Sequence, residues 1–129
     1  MDQQLLDQLK QNFSGDIATD AETLDTFSHD ASLFEVKPQV VVFPKTPEDV
    51  QNVVKFVAAQ KKDHPNLSLT GRSAGTDMGG GSINESIIVA FGKYFNQLPK
   101  LNGNIATAQP GLFYRDFEKE TIKEKNLLL

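Results

Sequence analysis

Residues 67–89 read LSLTGRSAGTDMGGGSINESIIV. Two apolar runs, Leu67-Ser68-Leu69-Thr70 and Ile87-Ile88-Val89, flank a segment that holds five of the chain's nine glycines. Short apolar runs bounded by turn residues are strand signals. A glycine-dense connection between two buried strands frees the backbone for positive φ and leaves its N–H groups uncovered by side chains. Successive N–H groups turned into one concavity make an anion-binding nest. Arg72, Thr76 and Ser82 could add charge and hydroxyl donors.

Upstream, Pro38 precedes Val40-Val41-Val42-Phe43, a β-branched run suited to a buried strand that Pro44 ends. Thr46-Pro47-Glu48-Asp49 is a helix start: a Thr N-cap, proline at the first helical position, and two acids at the positive end of the dipole. Val50, Val53, Val54, Val57 and Ala58 form the expected core face of a helix running to about Lys62, with His64-Pro65 closing it. Strand, helix and the strand at residues 67–70 have the length of a right-handed βαβ crossover, which makes the two strands parallel.

Farther out, Leu5, Leu6, Leu9 and Phe13 predict an amphipathic helix over residues 2–13, with Gly15 as its stop. Thr19 and Glu22 fit a capping box for a short helix over about 20–27. Residues 28–38 read as irregular. Residues 105–108 read as a fourth strand ending at Gln109-Pro110-Gly111, and a last helix starting near Leu112 carries Phe113, Phe117 and Ile122. The expected fold is α+β with an α/β-like core: a βαβ unit whose small, mainly parallel sheet is flanked by helices.

The chain has 129 residues, 39% hydrophobic and 23% charged, which suits one folded domain and excludes compositional disorder. A net charge of −4 disfavours nucleic acid and anionic membranes as partners. There is no cysteine, and His29 and His64 stand far apart, so neither a disulfide framework nor a thiolate or histidine-rich metal site is expected. No run has the length of a transmembrane span and the first ten residues lack a signal-peptide core, so a cytoplasmic location is expected. Leu127-Leu128-Leu129 at the C-terminus suggests either leucines folded back onto the core or the front part of a longer chain.

Spacing narrows the ligand of the glycine loop. A triphosphate loop needs G-x-x-x-x-G-K-[ST], and no lysine occurs in residues 71–82. The dinucleotide fingerprint G-x-G-x-x-G opens a helix, whereas Gly71, Gly75 and Gly79 are four apart and lead to a strand. A phosphate or pyrophosphate held mostly by main chain remains, as does a surface loop that binds nothing.

The order of strand with Pro44, capped helix, strand, GRSAGTDMGGGS, IIV strand and a strand ending in Gln-Pro-Gly resembles the N-terminal half of a known domain. This is the FAD-binding domain of the vanillyl-alcohol oxidase and p-cresol methylhydroxylase flavoproteins. The branch it looks most like is that of the FAD-linked D-lactate dehydrogenases and glycolate oxidase subunits. The resemblance covers roughly residues 28–125 and implies a boundary at 27/28. Residues 1–27 are then an N-terminal helical segment, and residues 28–129 an incomplete half-domain without the substrate domain. It implies that Arg72, Ser73, Ala74, Gly75, Thr76, Asp77, Gly80, Gly81 and Ser82 line the FAD pyrophosphate. Pro44 would lie near the cofactor, and Gln109, Pro110 and Gly111 would approach the flavin.

Ser73 and Ala74 stand where glycines are common in the family. Thr76 stands near where histidine occurs in members that bond flavin covalently, which implies non-covalent FAD. Asp77 beside a pyrophosphate is unfavourable unless it turns away. Other residues have two readings each, the plainer one favoured: His29-Asp30 as a loop hydrogen bond over an acid/base pair, Tyr94 and Phe95 as packing beneath the third strand over flanking an adenine ring, and Tyr114 and Arg115 as a solvated helix face over reaching a ligand.

The resemblance implies a flavin-dependent oxidoreductase that takes a hydride from a small alcohol or 2-hydroxy acid. Its catalytic residues and substrate contacts are expected in a missing C-terminal part. The fragment alone is expected to be inactive and to hold FAD weakly or not at all. A free-standing module for another phosphate ligand, or a non-catalytic interaction domain, stands as the alternative.

Overall fold

The computed structural model describes residues 1–125. Helix α1 (Gln3–Gln11) starts at Asp2, whose carboxylate accepts the Leu5 N–H at 2.8 Å. Strand β1 (Asp16–Ala18) and helix α2 (Ala21–Thr26) follow. Then come β2 (Val40–Phe43), α3 (Pro47–Gln60), β3 (Leu69–Arg72) and β4 (Ile87–Ala90). A small hairpin, β5 (Lys100–Asn102) with β6 (Ile105–Thr107), precedes α4 (Tyr114–Lys125).

The main sheet has the order β1-β2-β4-β3. Both β2 and β3 run parallel to β4, which lies between them, while β1 pairs antiparallel with β2. The mainly parallel sheet flanked by helices agrees with the expected fold class. Alternation along the central strands divides the core. Val40, Val42, Ile87 and Val89 face α1 and α3, meeting Leu5, Leu9, Val53 and Val57. Val41, Ile88 and Ala90 face the other way, against Leu24, Phe27 and Phe43. Each fully buried valine or isoleucine of β2 and β4 contributes about 1.5–3 kcal/mol of burial free energy.

Helix α3 begins as its sequence dictates. The Thr46 hydroxyl accepts the Asp49 N–H at 3.2 Å and Asp49 returns the bond, completing a capping box with Pro47 at the helix start. Asp49 is itself buried and gathers the main-chain N–H groups of Ser14 (2.7 Å) and Lys45 (2.8 Å). Burial alone would raise its pKa; hydrogen bonds from Ser14, Lys45 and Thr46 outweigh that and hold it below the ordinary carboxylate value.

Several expectations are corrected. Asp20, not Thr19, caps α2, accepting the Thr23 N–H at 2.8 Å. On α3 only Val53 and Val57 of the five predicted core residues are buried; Val54 and Ala58 are exposed and Phe56 takes part of the face instead. The strand expected at 67–70 is shifted to Leu69–Arg72, with Leu67 buried just before it. The strand at 105–107 joins no parallel sheet but closes the β5–β6 hairpin. Residues 1–27 contribute a strand as well as helices, and Leu5 and Leu9 belong to the same core as β2 and β4. Leu127, Leu128 and Leu129 lie outside the described residues.

Asp16 ties β1 to the carboxyl ends of β2 and β4. It accepts from Lys93 Nζ (2.5 Å), Tyr94 Oη (2.5 Å) and Lys45 Nζ (3.2 Å). Lys93, Tyr94 and Lys45, in that order of effect, hold its carboxyl far below the usual range. Tyr94 is therefore half-buried as a polar strut, while Phe95 packs edge-on against Phe91, with ring centroids 5.6 Å apart.

Candidate functional site

The glycine segment leaves the carboxyl end of β3, where ligands of parallel α/β sheets bind. Its conformation is held from below. The Arg72 guanidinium donates to the Phe27 carbonyl at 3.3 Å and lies over the Phe27 ring at 5.0 Å. Gly75 bridges over this cation with φ +69°, and a Cβ there would stand 2.5 Å from Arg72 Nη2. Only glycine satisfies both the backbone angle and that approach. Burial lowers the Arg72 pKa and Asp30 opposes the shift; a guanidinium stays charged in either case.

The far end of the loop is also anchored. Ser82 Oγ donates to Asp30 Oδ2 at 3.0 Å. Asn84 spans the loop's base, donating to Thr70 Oγ1 (2.8 Å) and accepting the Ser86 N–H (2.7 Å) and the Ser68 hydroxyl (3.1 Å). Asp77 turns onto its own loop, where Oδ1 accepts the N–H groups of Gly79 (2.6 Å) and Gly81 (3.1 Å).

Between this loop and the start of α4 lies a cleft of about 1000 Å³. One wall is residues 73–77 and Ser82; the other is residues 112–116 and Lys119. The structure thus brings Ser73, Ala74, Gly75, Thr76, Asp77 and Ser82 together around one cavity. It sets Arg72 beneath the loop, and Gly80 and Gly81 are not in the cleft wall. Pro44 is fully buried at the end of β2. Gln109 accepts the Gln97 N–H at 3.0 Å. Gly111 is buried, donating its N–H to the Phe95 carbonyl at 2.8 Å, and a Cβ there would stand 2.3 Å from the Phe91 oxygen. Pro110 is exposed between them. The turn at 109–111 therefore docks the start of α4 on the segment after β4, and so sets the second wall.

Arg115 and Lys119 belong to that wall; for Arg115 the sequence favours a solvated face over reaching a ligand, and it gives Lys119 no role. Their i, i+4 spacing puts both cations on one helix face. The signal that finds them is this spacing together with a glycine loop to face. Asp77 and Asp116 balance them within the lining, Asp116 lying 3.7 Å from Lys119. His29 and His64 are both outside the cleft wall; His29 stands 3.7 Å from Glu35. Among the described residues there is no cluster of three or more metal-binding side chains, and no helix is long and apolar enough to cross a membrane.

The donor set suits a diphosphate. Residues 73–76, among them the exposed hydroxyl-bearing Ser73 and Thr76, line one open space with the cations Arg115 and Lys119.

Comparison with known proteins agrees with this chemistry. A family model described as the FAD binding domain matches residues 38–129. D-2-hydroxyglutarate dehydrogenase of Haemophilus influenzae is 36% identical over 98 residues, covering 75% of this chain and 9% of the relative. The Escherichia coli protein of the same name is 32% identical over 93 residues, covering 72% of this chain and 9% of that protein. The chain therefore spans about a tenth of the length of these relatives. Among solved structures, p-cresol methylhydroxylase superposes with a TM-score of 0.72 at 21% identity, over 98% of this chain and 26% of that one. Alkyldihydroxyacetonephosphate synthase gives 0.75 at 17% identity, over 96% and 25%. The chain belongs to the FAD binding domain family, with the fold seen in p-cresol methylhydroxylase.

Proposed function

We propose that this chain is the N-terminal FAD-binding segment of a flavin-dependent oxidoreductase acting on a small alcohol or 2-hydroxy acid. The observation that carries the reading is the cleft between residues 73–77 and the start of α4. In this reading the FAD pyrophosphate lies on the main chain of residues 73–76, with Ser82 at the end of the cradle and Arg115 and Lys119 opposite. Arg72, Gly80 and Gly81 act by shaping the loop, and Pro44, Gln109, Pro110 and Gly111 by placing the strand ends and α4 around the cofactor. Bound FAD would supply the hydride-accepting chemistry, and the part of residues 73–77, Ser82, Arg115 and Lys119 would be to bind and orient it. The 2-hydroxy acid class is supported by the names of the relatives, D-2-hydroxyglutarate dehydrogenases.

FAD is held non-covalently in this reading, because Thr76 stands near where histidine occurs in members of the family that bond flavin covalently. Residues 1–27 precede a half-domain of residues 28–129. The substrate base and carboxylate-binding cations belong to the remainder of a longer flavoenzyme, so this segment alone gives no turnover and holds FAD weakly. We place the full enzyme in the cytoplasm.

A thermal-shift titration with FAD, ADP and FMN up to millimolar concentration tests the reading. FAD and ADP, which carry a diphosphate, stabilise the chain, FMN does so less, and Gly75→Asp abolishes the effect. A shift that survives Gly75→Asp overturns the assignment.

A further inference from the structure

The loop that faces the cleft contains its own anion. Asp77 Oδ1 accepts the N–H groups of Gly79 and Gly81 at 2.6 and 3.1 Å. The same carboxylate lies so close to this arc that a Cβ on Gly81 would stand 3.0 Å from Oδ2, and one on Gly79 3.3 Å from Oδ1. Independently, residues 78–81 take no part in the cleft wall, whereas residues 73–77 and Ser82 do. The glycine segment is thus divided: one half faces the open space, and the other closes around a carboxylate.

We infer that Asp77 is a positioning residue for the cofactor site. Its carboxylate takes up the Gly79 and Gly81 N–H groups, forms that turn before any ligand arrives, and leaves the diphosphate to residues 73–76. This rests on the pyrophosphate reading above. It also bears on the conflict of charge in the sequence: Asp77 lines the cleft, but its carboxylate is turned onto two main-chain donors that partly offset its repulsion of a phosphate. Preformation matters energetically: a loop already fixed in its bound shape avoids the ordering cost at the moment of binding. The useful property of Asp77 is an acceptor oxygen, and its negative charge is a cost that the two hydrogen bonds offset.

The test uses Asp77→Ala and Asp77→Asn in the isotopically labelled chain; Asp77 is exposed, so neither change disturbs the core. Amide exchange is read at Gly79 and Gly81 without ligand, and FAD affinity is read by titration. Asp77→Ala should free both amides to exchange and weaken FAD binding about tenfold, the order expected for two lost hydrogen bonds. Asp77→Asn keeps an acceptor oxygen, so it should restore amide protection and bind FAD as tightly as the parent or more tightly. Unchanged exchange in Asp77→Ala, or FAD binding as tight as the parent, overturns the inference while leaving the cleft assignment in place. If the amides respond as expected but millimolar FAD or ADP binds the parent chain without shifting any amide of residues 73–77, the pyrophosphate reading fails and the role of Asp77 in the turn stands. Weakening by Asp77→Asn equal to that by Asp77→Ala would make charge the operative property and overturn the inference.

Discussion

The Arg72 guanidinium reaches the Phe27 carbonyl at 3.3 Å across 45 residues of sequence and lies 5.0 Å over the Phe27 ring. This contact joins the end of β3 to the segment after α2, and the glycine loop is laid over it. Arg72→Ala should lose a hydrogen bond to a carbonyl and a partly desolvated cation–π contact, together about 1–2 kcal/mol. Chemical denaturation measures the loss. Arg72→Lys should recover part of it, because an ammonium can sit over the ring but lacks the planar fork.

Gly75 stands directly above that cation at φ +69°. Gly75→Ala puts a Cβ into a left-handed backbone position and against the guanidinium. The expected cost is about 1–2 kcal/mol in stability. Gly92, whose Cβ would meet nothing within 4 Å, is the control; Gly92→Ala should leave the unfolding midpoint nearly unchanged.

Asp49 links Ser14, Lys45 and Thr46 to the start of α3. Asp49→Asn turns an amide donor toward N–H donors and should destabilise the chain by about 2–3 kcal/mol at neutral pH. The pH dependence follows from its lowered pKa. A carboxylate with a depressed folded pKa contributes stability that is complete above its ordinary value of 3.8 and is lost as pH falls through the folded pKa. Asp16, lowered by Lys93, Tyr94 and Lys45, acts in the same sense. Stability should therefore hold above about pH 5 and decline in acid, and the gap between the parent and Asp49→Asn should narrow there. A gap that widens in acid contradicts the assignment.

Arg115 and Lys119 are exposed and face the loop across the cleft. Replacing both with alanine should leave the melting temperature of the free chain nearly unchanged while weakening FAD binding about three- to tenfold. The weakening should shrink as salt rises, since screening already reduces these attractions in the parent. Calorimetry at two ionic strengths reads both effects.

Much of the parallel core was legible because its residues leave little choice. Val40, Val41, Val42, Ile87 and Ile88 are β-branched and buried on both faces, and Thr46-Pro47 with Asp49 specifies a helix start locally. Strand β1 was not legible: its three residues are all half-buried, and their pairing with β2 rests on a contact to Phe43 far along the chain. Val54 and Ala58 face solvent because α3 turns toward α1 through Val53, Val57 and Phe56, an orientation fixed by tertiary packing. The glycine cluster marked the loop that lines one wall of the cleft. The opposite wall was obscured because Arg115 and Lys119 look like ordinary solvated charges until Gly111 docks α4 against Phe91 and Phe95.

The proposed function places a diphosphate in the cleft between residues 73–77 and 112–116. An NMR titration of the labelled chain with ADP and with riboflavin tests it most directly. The account predicts saturable amide shifts at residues 73–77 and 112–116 with ADP, and little response there to riboflavin, which lacks phosphate. Saturable binding of ADP that moves other amides and leaves these two segments untouched would contradict it.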